Sequence, residues 1–122
     1  MNFDEKLYRI MTPGEYQFKE NCYITELLNT KTDPDVSVAR ARVLTGETTE
    51  WHLLDGITER YLILEGTGFA EVGNNPPEEV REGSVVHIPP GIRQRITNSG
   101  ECDLIFLAVC TPRFDHEKYL AL

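Results

Sequence analysis

The feature that most constrains this chain is its punctuation. From Tyr23 to Cys110, runs of four to nine residues rich in Val, Ile, Leu, Tyr and Phe are cut at short intervals by turn signals. Gly73-Asn74-Asn75-Pro76-Pro77 is a break that neither strand nor helix spans, and Pro89-Pro90-Gly91 and Asn98-Ser99-Gly100 interrupt the chain again. The spacing predicts strands at Tyr23–Leu28, Val36–Leu44, Thr49–Leu54, Arg60–Leu64, Phe69–Val72, Val85–Ile88, Gln94–Thr97 and Leu104–Cys110. Short strands this closely spaced close into an all-β antiparallel barrel or jelly roll. One short helix is expected, over Asp115–Leu120.

A length of 122 residues is read as one domain, 1–122, with enough chain for a single packed core. A net charge of −8 argues against nucleic acid as a partner, since the phosphate backbone is repelled on average. No apolar run is long enough to cross a bilayer as a helix, so no membrane partner is expected. The opening residues lack the layout of a secretion signal, and Cys22, Cys102 and Cys110 have neither an even count nor CxxC spacing. Reduced thiols in a cytoplasmic protein are the expectation. All four lysines lie outside Thr32–Glu117, and within that segment every cation is an arginine. Guanidinium forks suit carboxylates, whether on the protein's own surface or on a ligand.

Two separate stretches carry a finer pattern. The first runs from Gly46 through His52, Leu54 and Glu59 to Gly66; the second runs from Gly83 through Pro89, Gly91 and Gln94 to Asn98. Their spacing resembles the two motifs of the cupin superfamily: glycine, five residues, His-x-His, three or four residues, glutamate, six residues, glycine; then glycine, five residues, Pro-x-Gly, two residues, histidine, three residues, asparagine. Leu54 stands where the second histidine would be and Gln94 where the third would be. The resemblance implies a cupin-type double-stranded β-helix. It also implies that the faces carrying His52 and Leu54, Glu59 and Tyr61, and Gln94 turn inward, leaving Arg60, Arg93 and Arg95 outside.

In the family, three histidines and the glutamate hold a divalent transition metal. Transferred position by position, that leaves His52, Glu59 and Gln94 as the expected ligands for Zn, Ni, Fe or Mn; no organic cofactor is expected. A metal-dependent dioxygenase, isomerase or lyase is one reading. Another is a metal-free isomerase or cyclase with His52, Glu59 and Tyr61 as catalytic groups, because a His–Glu pair in an apolar cavity has proton affinities near neutrality. A non-catalytic sensor is the third. These are alternatives to the leading expectation, a small cupin barrel that binds a small, anionic molecule in its interior with its activity left open, and with Arg40, Arg42 and Tyr61 as substrate-binding candidates. Arg40 and Arg42 share one strand face, but parity alone leaves open which. His87 and His116 read as surface histidines, and Trp51 as packing on an outer element or a partner. The aromatic and aliphatic residues Tyr8, Ile10, Tyr16, Phe18, Tyr23 and Ile24 exceed the needs of a small barrel. The segment 1–30 is therefore expected to build a homodimer interface.

Overall fold

The structure, a computed structural model, describes Leu7, residues 14–19 and residues 21–122. Among the described residues, eleven strands form two antiparallel sheets that face one another. The first has six strands in the order β1 (Glu15–Gln17), β2 (Tyr23–Leu28), β3 (Ser37–Val43), β10 (Leu104–Thr111), β5 (Thr58–Glu65) and β8 (Val85–Ile88). The second has five: β11 (Tyr119–Ala121), β4 (His52–Leu54), β9 (Gln94–Asn98), β6 (Thr67–Val72) and β7 (Glu78–Arg81). This is the all-β, double-stranded β-helix arrangement expected from the cadence of strands and turns.

Alternation sorts the side chains as period-two geometry requires. On β5, Glu59, Tyr61 and Ile63 are buried while their neighbours are not; on β9, Gln94, Ile96 and Asn98 are. Val43, Ile63, Ile88, Ile96, Leu104 and Phe106 form the packed core, each almost free of solvent. Burying an aliphatic side chain of this size contributes about 1.5–3 kcal/mol.

The turn residues have specific duties. Gly66 has φ +89°, and a Cβ there would lie 2.8 Å from the Asp103 carbonyl oxygen. Asn98 is buried and holds three segments together. Its amide donates to the carbonyls of Val43 (2.9 Å) and Cys102 (2.8 Å), and its oxygen accepts from the Gly100 N–H (2.9 Å).

The C-terminal helix expected over Asp115–Leu120 does not form. In its place is a three-residue 3-10 turn, His116–Lys118, followed by β11. A single helical turn is not stable alone. Pairing with β4 gives the same residues a ladder, Tyr119 opposite Leu54 and Ala121 opposite His52. Strand β7 reads as polar sequence, with Val80 as its one buried residue; charge along an edge strand is what keeps it from pairing further.

Part of the N-terminal segment has work inside its own chain. Tyr16, Phe18 and Ile24 line the interior cavity, and Tyr23 lies under the Arg42 guanidinium, 4.7 Å from its centroid. Tyr8 and Ile10 lie outside the described residues.

Candidate functional site

The site follows from how four strands of the larger sheet are written: β2, β3, β10 and β5. Their registers set inward residues in rows. Ile24, Ala41, Phe106 and Ile63 form one row, and Glu26, Ala39, Ala108 and Tyr61 the next. Ser37, Cys110 and Glu59 form the third. Bulk thus falls away along β3 and β10, from Val43 and Leu104 to Ser37 and Cys110. The small side chains leave a cavity of about 90 Å³, enough for several waters or part of a small ligand.

His52, Glu59 and Tyr61 line this cavity, as do Leu54, Glu26 and Glu50. Gln94 is buried beside them, and its Oε1 accepts the Tyr61 hydroxyl. Glu59 is 7 % exposed. One carboxylate oxygen takes a weak hydrogen bond from the Cys110 thiol at 3.7 Å, and the other, Oε1, has no partner. An ionised carboxylate in such a place is costly. Burial therefore raises the Glu59 pKa to about 7, although Gln94, Cys110 and Tyr61 pull part of the way back.

His52 is held differently. Its Nδ1 lies 2.8 Å from the Glu50 carbonyl oxygen, which can only accept, so Nδ1 carries the proton and Nε2 of the neutral ring is left as an acceptor. Burial lowers its proton affinity and keeps the ring neutral. The ring stacks on Tyr119 at 4.6 Å with an interplanar angle of 17°, and the Tyr119 hydroxyl donates to the Glu50 carboxylate at 2.8 Å. One residue, Glu50, thereby orients both rings. No ion pair joins His52 to Glu59.

The mouth is built from both ends of the described chain. Phe18 packs edge-on against Phe114 and Tyr119, and His116 lies against Phe18 and Phe114. The tail reaches this place because Phe114 N–H donates to Ser37 Oγ (2.8 Å) and Arg113 to Asn29 (2.7 Å). The Lys19 ammonium sits over Tyr119, 5.2 Å from its centroid. His116 is exposed as expected, yet it helps to build the rim. His87 is exposed on the outer face, opposite Arg60.

The expected substrate arginines are elsewhere. Arg40 and Arg42 stand on the outer face, because the residues that alternate with them, Ala39 and Ala41, face the cavity. Arg42 makes a bidentate pair with Glu15 (2.9 and 2.7 Å) and reaches Asp103 at 3.2 Å. The orientation that strand parity left open is thus outward for both. Arg93 and Arg95 flank Trp51, with guanidinium carbons 4.2 and 4.3 Å from the ring centroid.

A divalent transition metal fits this donor set poorly. Leu54 offers no donor, the Gln94 oxygen is committed to Tyr61, and His52 and Glu59 are not paired. Among the described residues no group of three or more His, Cys, Asp or Glu side chains converges as a metal site. The donors left, one imidazole nitrogen and one carboxylate, fall short of the two-histidine, one-carboxylate triad that holds catalytic iron.

Missing from the sequence reading were Glu26, Glu50, Cys110 and Tyr119. The small inward residues at alternate positions, Ser37, Ala39 and Ala41, were the available signal for the cavity.

Comparison with known proteins adds kinship. The family model described as cupin domain matches residues 39–110. The uncharacterized protein MJ1618 of Methanocaldococcus jannaschii is 35% identical over 104 residues, covering 84% of this chain and 82% of that one. A predicted oxalate decarboxylase of Thermotoga maritima superposes with TM-score 0.76 at 23% identity, over 88% of this chain and 99% of that one. Streptomyces PAC13, described as a nucleoside dehydratase and solved with uridine, gives TM-score 0.80 at 16% identity, over 97% and 91%. The structural likenesses, all below 25% identity, concern the fold. No helix among the described residues is long and apolar enough to cross a membrane.

Proposed function

This chain belongs to the cupin domain family, and from that premise we propose that it is an acid–base enzyme acting on a small molecule inside the barrel, with its protons moved by its own side chains. One observation carries the reading: a buried Glu59 with a free carboxylate oxygen shares a cavity with a neutral His52 whose Nε2 is an acceptor. The two are not paired with each other, so a substrate can occupy the space between acid and base. Pairs of groups whose environments separate their proton affinities are the usual basis for assigning acid and base.

The reaction class that suits this pair is elimination of water or a related isomerisation. His52 Nε2 takes a proton from carbon, and the C–H electrons become the new C=C bond. The neighbouring C–O bond breaks, and protonated Glu59 gives its proton to the departing hydroxyl, which leaves as water. The proton then passes from His52 back to Glu59, through solvent in the cavity. Tyr61, fixed by Gln94, is a further hydrogen-bond donor on the same wall. The nucleoside dehydratase description of PAC13 names chemistry of this class in a barrel of this shape.

The test is deuterium incorporation in D2O by chelator-treated protein, with hydroxylated substrates such as uridine, followed by NMR. The expected result is exchange or dehydration that is lost in His52→Gln and indifferent to chelator. Activity that appears only on adding zinc, nickel, iron(II) or manganese would restore the metal-enzyme reading. Binding without any exchange would leave a passive binder. We propose in addition that the protein is a cytoplasmic homodimer, in which the free cysteines Cys22, Cys102 and Cys110 stay reduced. Light scattering at micromolar concentration should give twice the chain mass; a monomer mass contradicts the dimer.

A further inference from the structure

The cavity wall built by β2, β3, β10 and β5 has a design of its own. Glu26 and Tyr61 occupy the two ends of one cross-strand row, and the two residues between them are both alanine, Ala39 and Ala108. Three strand spacings separate the ends, about 14 Å between backbones. The adjacent row brings Ser37 and Cys110 up to Glu59. The result is a trough with a floor of small side chains and an acid at each end. Glu26 is half-buried and accepts a hydrogen bond from Tyr16 at 3.1 Å, so its carboxylate is oriented before any ligand arrives. At the other end, Glu59 lines the cavity, and its Oε1 is buried without a hydrogen-bond partner.

The charge along this trough is one-sided. Three carboxyl groups, Glu26, Glu50 and Glu59, line it, and among its described lining residues the only Lys or Arg is Lys19 at the rim. Arg40 and Arg42, which an anion would need, lie outside. A carboxylate or phosphate entering here loses its water and finds like charge instead of a guanidinium fork. A hydroxyl loses little, because carboxylate oxygens accept from it at both ends.

We infer that Glu26, oriented by Tyr16, is a ligand-anchoring residue, and that the cavity takes neutral, polyhydroxylated molecules lying along the Ala39–Ala108 floor, not anions. The inference rests on the acid–base reading for the location of the chemistry and adds the substrate class and the second anchor. It replaces the anionic ligand expected from the arginine-rich sequence.

The experiment uses matched probes that differ in charge: uridine with uridine 5′-monophosphate, and glucose with glucuronate. Each is titrated into the full-length protein and followed by backbone NMR shifts. The expected result is that at least one neutral member shifts residues around Ala39 and Ala108, and that its anionic counterpart binds at least about tenfold more weakly. Losing one charged hydrogen bond is worth about 1.5–3 kcal/mol, so Glu26→Leu should weaken the neutral probe by roughly 10- to 100-fold. Glu26→Gln, which keeps an amide oxygen, should fall in between. Thermal melts of both variants confirm that they are folded. Tighter binding of the anions, no binding by any probe, or unchanged binding in folded Glu26→Leu would each overturn the inference. The acid–base reading has its own outcome. Should neutral probes bind at Glu26 without exchanging protons in D2O, that reading fails while this anchor stands. Should the anions bind and exchange, the anchor fails and the chemistry stands.

Discussion

The same three strands build both ends of the barrel, with opposite content. Toward one end β3, β5 and β10 contribute Val43, Ile63, Leu104 and Phe106, all nearly solvent-free. Toward the other they contribute Ser37 and Ala39, Glu59, Ala108 and Cys110, and a cavity opens. The backbone ladder is continuous through both. Stability is therefore concentrated where side chains are large, and the other end is released from packing to hold a carboxylate that destabilises it. A strand can be scaffold and site in successive turns of its pleat.

The largest effects should fall at the packed end. Leu104→Ala and Ile96→Ala should each lower stability by about 2–5 kcal/mol in urea unfolding, since each leaves a cavity where nothing relaxes to fill it. Ala108→Leu, at the open end, should cost under about 1.5 kcal/mol and abolish ligand binding, because it fills space that is already there. Equal costs at both ends would erase the contrast.

Glu59 should show the reverse sign. Its pKa is raised from about 4.5 in the unfolded chain to about 7 in the fold, so the folded state holds the proton more tightly. The unfolded chain ionises first as pH rises, and stability falls between these values, by up to about 3 kcal/mol. Glu59→Gln should therefore stabilise the protein at pH 8 and do little at pH 4. His52 acts oppositely, because its lowered affinity removes stability as pH falls below about 6.5. Unfolding measured against pH in wild type, Glu59→Gln and His52→Gln separates the two slopes. A Glu59→Gln variant with the same stability gain at both pH values would contradict the burial assigned here.

Arg42→Ala should be the smallest effect. Its ion pairs with Glu15 and Asp103 are partly exposed, and such pairs contribute at most about 1 kcal/mol. Ligand binding should be unchanged. A large loss of binding would return Arg42 to the site.

Much of this division was legible from the chain, for reasons that differ by residue. Glu59, Tyr61 and Gln94 were placed inside because motif spacing and strand parity agree there. Arg40 and Arg42 were ambiguous because parity sorts residues into two faces without naming the inner one; the alternating Ala39 and Ala41 held that answer. Glu26 escaped notice because it lies outside both motifs, and its role depends on cross-strand register with Ala39, which no local pattern encodes. Tyr119 was expected in a helix. Its strand conformation comes from the open edge of β4, a tertiary feature with no trace in six residues of tail.

The central claim is that an acid is stored, with its charge only partly compensated, at the open end of the barrel. The most direct measurement is a carbon-13 NMR titration of the Glu59 side-chain carboxyl in chelator-treated, ligand-free protein. The account predicts a midpoint near pH 7, with burial as the cause. A midpoint in the ordinary carboxylate range, about 4 to 4.5, would mean that water or a cation already compensates this charge, and would contradict it.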